Sequence, residues 1–179
     1  MSSMRIMIST NQKQKEEGRS NMSIAVFPGS FDPVTRGHES IVKKALPMFD
    51  KIIVAVGENT SKKNMFSIEQ RIKWLEETFR DCDKVEVDSY NCLTTDYCKK
   101  KNAKFILRGL RDTTDFQYEK NISDINTLLD DSIETVFLLA DKQESSISSS
   151  FVREMILFGK DVKRFIPENI IIPKKEFLF

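Results

Sequence analysis

Histidine is almost missing from this chain: His38 is the one histidine among 179 residues. The three cysteines, Cys82, Cys92 and Cys98, show no C-x-x-C spacing. With a single distant histidine they do not complete a usual zinc set. An odd cysteine count fits free thiols in a reducing cytoplasm better than a disulfide framework. Charge of one sign is also missing, with 28 Lys+Arg against 27 Asp+Glu. No bulk pull toward nucleic acid or a membrane surface follows, so any anion site must be built locally. No run of eighteen apolar residues exists, and no membrane span is expected. The G-x-G-x-x-G and G-x-x-x-x-G-K-[ST] fingerprints are absent, which disfavours a dinucleotide oxidoreductase and a P-loop kinase. There is no repeat and no low-complexity segment.

What is present is an alternation of strand and helix patterns from Ile24 onward. Residues 1–22 stand apart. Asn11 to Asn21 is almost wholly polar, and no apolar stretch of secretory length follows the basic residues. The expectation is a disordered leader or extension, with Met22 a plausible original start, a domain over 23–170 and a tail over 171–179. Ile24–Phe27 reads as a first strand, and Ser40–Met48 as an amphipathic helix whose pattern begins at His38. Lys51–Gly57 is a β-branched buried-strand run. Ser67-Ile68-Glu69-Gln70 is a capping box opening a helix to about Phe79. Val85–Val87, Lys104–Leu107 and Glu134–Leu139 are further strands. Thr94 or Thr95 caps a helix through about Lys101, Asp115 starts one through about Leu129, and Ser148–Ser150 precede one that Gly159 can end. Five strands with intervening helices predict an α/β domain with one parallel sheet covered on both faces. In such sheets ligands bind beyond the carboxyl ends of the strands.

The loops after strands carry the chemistry. Phe27-Pro28-Gly29-Ser30-Phe31-Asp32-Pro33-Val34-Thr35-Arg36-Gly37-His38 runs from strand to helix start. Helix N-termini attract phosphate through unpaired N–H groups, and a histidine there adds a donor. Lys62 and Lys63 follow the second strand. Arg108 and Arg111 flank Gly109-Leu110 after the fourth. Arginine forks suit phosphate oxygens, and lysine adds a compact charge. Glu119 is placed to pair with Arg111 or to contact a nucleotide. Glu144, Ser145, Ser146, Ile147, Ser148, Ser149 and Ser150 bring hydroxyls and N–H groups to a last helix start, although ordinary N-capping needs only one of the serines. No carboxylate pair and no nucleophilic Ser or Cys stands out.

Taken in order, Pro28-Gly29-Ser30-Phe31-Asp32-Pro33, Thr35-Arg36-Gly37-His38, Ser61-Lys62-Lys63, Arg108-Gly109-Leu110-Arg111, Asp115-Phe116-Gln117-Tyr118-Glu119 and Ile147-Ser148-Ser149-Ser150-Phe151-Val152-Arg153 resemble the bacterial phosphopantetheine adenylyltransferases. These belong to a nucleotidyltransferase superfamily with T/H-x-G-H and I-S-S-T/S-x-x-R signatures. The resemblance spans roughly Ile24 to Asn169. It implies a Rossmann-like, doubly wound fold and the reaction of ATP with 4′-phosphopantetheine to give dephospho-coenzyme A and pyrophosphate. It implies Mg²⁺, bound mainly through the ATP phosphates with no protein metal site, and coenzyme A as product-related feedback ligand. It implies a cytoplasmic homohexamer with no nucleic-acid or membrane partner. His38, Lys62 and Arg111 fall at catalytic positions. Ser30, Phe31, His38, Gly109, Leu110, Arg111, Glu119 and Glu144–Ser150 match the ATP site. Ser30, Lys62, Thr94 and Arg108 match the acceptor site.

Three departures stand out. Ser30 replaces a threonine found in some members but keeps the hydroxyl. Gln117 replaces a common acidic residue, and Thr127 replaces an arginine often found after the Asn126 position. The alternatives are another adenylyl- or cytidylyltransferase of the superfamily, acting on nicotinamide mononucleotide, pantoate or a cytidylyl acceptor, and a catalytically silent nucleotide-binding regulatory domain. An acceptor panel separates the first, and pyrophosphate release the second.

Overall fold

The computed structural model describes residues 22–58 and 63–172. Lys62, the expected leader up to residue 21 and the expected tail from residue 173 lie outside the described residues. Ten elements follow one another: β1 Ile24–Gly29, α1 Arg36–Ala45, β2 Lys51–Gly57, α2 Ile68–Phe79, β3 Val85–Tyr90, α3 Thr94–Lys100, β4 Phe105–Leu110, α4 Thr113–Leu129, β5 Glu134–Leu139 and α5 Ser149–Leu157. The five strands form one parallel sheet in the order β3-β2-β1-β4-β5.

Alternation along the central strands divides the core. Ala25, Phe27, Ile52, Val54 and Val56 point to one face, against Ile41 and Val42 of α1, Trp74 and Leu75 of α2, and Val152 and Ile156 of α5. Val26, Ile53, Ala55 and Ile106 point to the other, against Tyr97 and Cys98 of α3. Both faces of β1 and β2 are therefore dry, which is why their sequences are near-continuous apolar runs. The chain winds from β1 through β2 to β3 on one side, then crosses to β4 and β5 on the other. The reversal opens a crevice above the carboxyl ends of β1 and β4.

Several element starts differ from the sequence expectation, each for a capping reason. Helix α1 begins at Arg36 and not at His38 or Ser40, because Thr35 is its N-cap and His38 occupies the third helical position. Helix α4 begins at Thr113 and not at Asp115, because the Asp112 carboxylate accepts from the N–H groups of Thr114 (2.8 Å) and Asp115 (2.9 Å). Neither Thr94 nor Thr95 caps α3; the N-cap position is Leu93, without a side-chain bond. Ser67 does cap α2, accepting from Gln70 N–H at 3.3 Å. Strand β4 runs to Leu110, so Arg108 and Gly109 sit within the strand end. Ser148 caps α5, and Gly159 follows its end with φ +65°, as predicted.

Candidate active site

The loop after β1 is built around two neighbouring constraints. Phe31 has φ +46°, in the left-handed region that few side chains tolerate, and its ring is almost fully buried. A Cβ on Gly29 would lie 2.8 Å from the Phe31 ring, so the turn needs glycine there. Polar groups from two helices and from the segment before α2 hold the loop. The buried Asp32 carboxylate accepts from the N–H groups of Met65 (2.8 Å) and Phe66 (2.9 Å). Buried Arg71 of α2 donates to the Ser30 carbonyl at 2.7 Å. Arg153 of α5 donates to the Asp32 carbonyl at 2.7 Å. These buried polar groups are paired, as burial demands.

His38 closes the loop in a reciprocal capping box. The Thr35 hydroxyl accepts from His38 N–H at 3.4 Å, and His38 Nδ1 accepts from Thr35 N–H at 3.0 Å. A main-chain N–H cannot reverse its role, so Nδ1 is unprotonated and the neutral ring carries its proton on Nε2. Phe31 packs edge-on against the imidazole at 5.0 Å and 73°. Burial first, then Arg111 and Arg108, lower the His38 pKa to about 4. At neutral pH the ring is an uncharged Nε2–H donor. The start of α1 offers an anion less than expected, because Arg36 N–H is taken by the Phe165 carbonyl at 3.0 Å.

The two arginines are each held by a carboxylate. Glu119 takes both Nε (2.7 Å) and Nη2 of Arg108, whose Nη1 donates to the Pro28 carbonyl at 2.8 Å. The suggested Glu119–Arg111 pair is therefore not formed. Arg111 is instead bound by Asp115, through Nε (2.7 Å) and Nη2 (2.9 Å), one helical turn on. That hydrogen-bonded pair raises the Arg111 pKa and lowers that of Asp115.

At α5 the serine hydroxyls are mostly committed. Ser148 Oγ caps Phe151 N–H at 3.1 Å, Ser149 Oγ donates to the Pro33 carbonyl at 2.8 Å, and Ser150 Oγ accepts from Arg153 at 3.0 Å. What α5 presents to an anion is the N–H groups of Ser149 and Ser150, ahead of the capped Phe151 N–H, and its dipole. Ser145 Oγ donates to the Lys142 carbonyl at 3.0 Å.

These pieces surround a cavity of about 340 Å³. Of the predicted residues, Ser30, Phe31, His38, Arg108, Gly109, Arg111, Glu119, Glu144, Ile147 and Ser148–Ser150 line it. Leu110, Ser145 and Ser146 do not, and Leu110 is buried. Thr94 lines a second cavity of about 610 Å³, with Tyr90, Leu93, Tyr118 and Ile122. Pro28, Gly29, Ser30 and Arg108 border both. Asp115, a wall residue that motif reading left without a role, was visible as the i+4 partner of Arg111. The supports from Arg71 and Asp32 join residues more than thirty positions apart and leave no local signal. Among the described residues no group of three or more His, Cys, Asp or Glu could hold a metal ion.

A neutral imidazole donor, two arginines and a helix N-terminus around a sheet-switch crevice define a nucleotidyltransferase-type site, and the cytidylyltransferase-like family model matches residues 26–155. The fold is shared with a bifunctional NMN adenylyltransferase/ADP ribose pyrophosphatase from Francisella tularensis, at 23% identity and TM-score 0.64, over 83% of this chain and 46% of that one. A phosphopantetheine adenylyltransferase of Flavobacterium johnsoniae is 49% identical over 86% of this chain and its own full length. That of Clostridium novyi is 44% identical over 84% of this chain and 93% of its own. The chain belongs to the phosphopantetheine adenylyltransferase family.

Proposed function

We propose that this enzyme transfers the adenylyl group of ATP to the phosphate of 4′-phosphopantetheine, releasing pyrophosphate and forming dephospho-coenzyme A. One observation carries the assignment of sides: two cavities meet at Ser30 and Arg108, one walled by His38, Arg111 and the α5 N-terminus, the other by Thr94, Tyr90, Leu93, Tyr118 and Ile122 with Glu58, Cys92 and Asn126 among them. The first suits a triphosphate, and the second a phosphate bearing an uncharged arm.

The acceptor phosphate is ionised near neutral pH, so no general base is required. Catalysis is positioning and charge neutralisation. Arg108 holds the acceptor phosphate at the shared border. Arg111 and the N–H groups of Ser149 and Ser150 at the start of α5 hold the triphosphate. His38 donates Nε2–H to the α-phosphate oxygen as charge builds there, without changing its own protonation state. Lys62 is assigned to the reacting phosphates from its motif alone. Phe31, buried under His38, serves the nucleotide only through its main chain and through bracing the ring. Mg²⁺ is proposed as a companion of the ATP phosphates, whose charge it neutralises.

The exposed apolar residues Phe116, Ile125, Leu128 and Leu129 of α4 and Leu139 of β5 support assembly, and a homohexamer is proposed, to be checked by light scattering. Coenzyme A as feedback ligand and a cytoplasmic location belong to the same proposal. None of the described helices is long and apolar enough to cross a membrane.

The assignment is tested with Mg·ATP and a panel of phosphopantetheine, nicotinamide mononucleotide and pantoate, with pyrophosphate as readout. Release with phosphopantetheine alone is expected. Release with another acceptor in preference to it would overturn the assignment.

A further inference from the structure

Arg71 is a buried cation that the reaction as described leaves unused. It reaches the active-site loop from α2, where Nη1 donates to the Ser30 carbonyl at 2.7 Å and Nε to the Ser67 carbonyl at 3.4 Å. The Ser30–Phe31 peptide is trans, so its carbonyl and the Phe31 N–H point in opposite directions. The carbonyl is drawn toward α2, and the N–H is turned away from it. Among the described residues no acceptor meets that N–H. An unpaired main-chain donor on a buried residue is rare. Phe31 is 1% exposed, and it lines the nucleotide-side cavity but not the acceptor-side one; Arg71 lines neither. Phe31 also holds φ +46°, a left-handed conformation that side chains seldom adopt. Such strain persists only where the surroundings enforce it, and Arg71 is one of the groups that do.

We propose that Arg71 is a positioning residue for the nucleotide: by holding the Ser30 carbonyl it aims the Phe31 N–H into the cavity, where that N–H donates to a phosphate oxygen of ATP. This inference rests on the assignment of that cavity to the triphosphate. Arg71 touches no substrate and acts through the peptide plane. A guanidinium suits the task, because a charge-assisted bond to the carbonyl is stronger than a neutral one. It also polarises the peptide it binds, which makes the N–H at the other end a better donor. The next residue is fixed independently, since Asp32 is bound by the Met65 and Phe66 N–H groups and by Arg153. Loss of Arg71 therefore frees the Ser30–Phe31 peptide and leaves the remainder of the turn held.

The test uses the full chain and Arg71→Met, which removes both the donor and the charge. Arg71→Lys keeps the charge and one donor, and guards against a folding failure of the first variant. In Arg71→Met the ATP dissociation constant, measured calorimetrically without acceptor, should rise about tenfold or more, the scale of a hydrogen bond to a charged group. The KM for phosphopantetheine at saturating ATP should move less than about twofold. Arg71→Lys should recover part of the ATP affinity. In the wild-type chain the Phe31 amide proton should move downfield in an NMR titration with ATP, and the movement should shrink in Arg71→Lys. Native ATP affinity in a folded Arg71→Met, with only a lower melting midpoint, would make Arg71 a structural support and overturn the proposal. So would a Phe31 amide that ATP leaves unmoved, or equal losses for both substrates. If the wild-type chain binds ATP but fails to turn over phosphopantetheine, the functional assignment fails by itself. The amide titration and the ATP affinities still decide the role of Arg71.

Discussion

Replacing His38 with alanine removes two things that can be separated. One is the Nε2–H donor at the wall of the nucleotide-side cavity. The other is the acceptor for the N–H of buried Thr35, bound at 3.0 Å. Loss of one preorganised donor to a developing oxyanion costs about 10²–10³ in kcat, or roughly 2.7–4 kcal/mol. Leaving a buried N–H unpaired costs about 1–3 kcal/mol. For a chain of this length each kcal/mol lowers the melting midpoint by roughly 2–4 °C. His38→Ala should therefore turn over at least about a hundredfold more slowly, melt several degrees lower and bind ATP with near-native affinity. Two further substitutions divide the effects. Glutamate and glutamine are the usual partners in a capping box at this helical position. His38→Glu should regain the stability but remain inactive, since it places a negative charge where phosphate charge must be met. His38→Gln should regain the stability and part of the rate, because its amide supplies an N–H. Calorimetric melting, ATP titration and steady-state kinetics on one preparation of each variant read all three quantities. Near-native kcat in His38→Ala would refute the reasoning, and so would a rate loss that His38→Glu restores together with the stability.

Three other outcomes are expected. The single imidazole should titrate in an NMR experiment near pH 4, against an ordinary value of 6.5. Because the unfolded chain takes up that proton first, the stability owed to neutral His38 is whole above about pH 6.5 and is lost as pH falls toward 4, a trend that His38→Gln should lack; titration near 6.5 would contradict the buried, Nδ1-accepting geometry. Arg111→Ala should weaken ATP binding about 10–100-fold while sparing the acceptor KM, and Arg108→Ala should do the reverse; equal effects on both substrates would reject the division of the two arginines. Gly109→Ala places a Cβ 2.8 Å from Ile41 Cγ1, so β4 and α1 must separate; a loss of about 1–3 kcal/mol in chemical denaturation and a lower kcat are expected, and native-like values in both would contradict the close packing.

Most of the site was legible before the structure because its loops follow buried strands, and buried strands announce themselves. Lys51–Gly57 is apolar at every inner position, which marked it as a strand buried on both faces. The serines before α5 and Gly159 after it marked that helix at both ends. Legibility failed where a side chain was already committed to another residue. His38 was expected to lend its donor at the very start of α1. It sits instead at the third position of a capping box, and its tautomer follows from that bond. Glu119 was open to Arg111 or a nucleotide. Its capture by Arg108 depends on α4 passing beside β4, which no local pattern encodes. The same holds for Arg71 behind the Ser30 carbonyl and for Asp32 beneath Met65 and Phe66. These contacts are set by the packing of elements distant in sequence, and they hold a loop whose own residues tell only what it binds.

The most direct test of the central claim is the mass of the product. The full chain is incubated with Mg·ATP and 4′-phosphopantetheine, and the mixture is resolved by mass spectrometry. The expected result is dephospho-coenzyme A with an equimolar amount of pyrophosphate, both sharply reduced for His38→Ala. Unchanged phosphopantetheine alongside ATP hydrolysed to ADP and phosphate, or adenylylation of a different acceptor only, would contradict it.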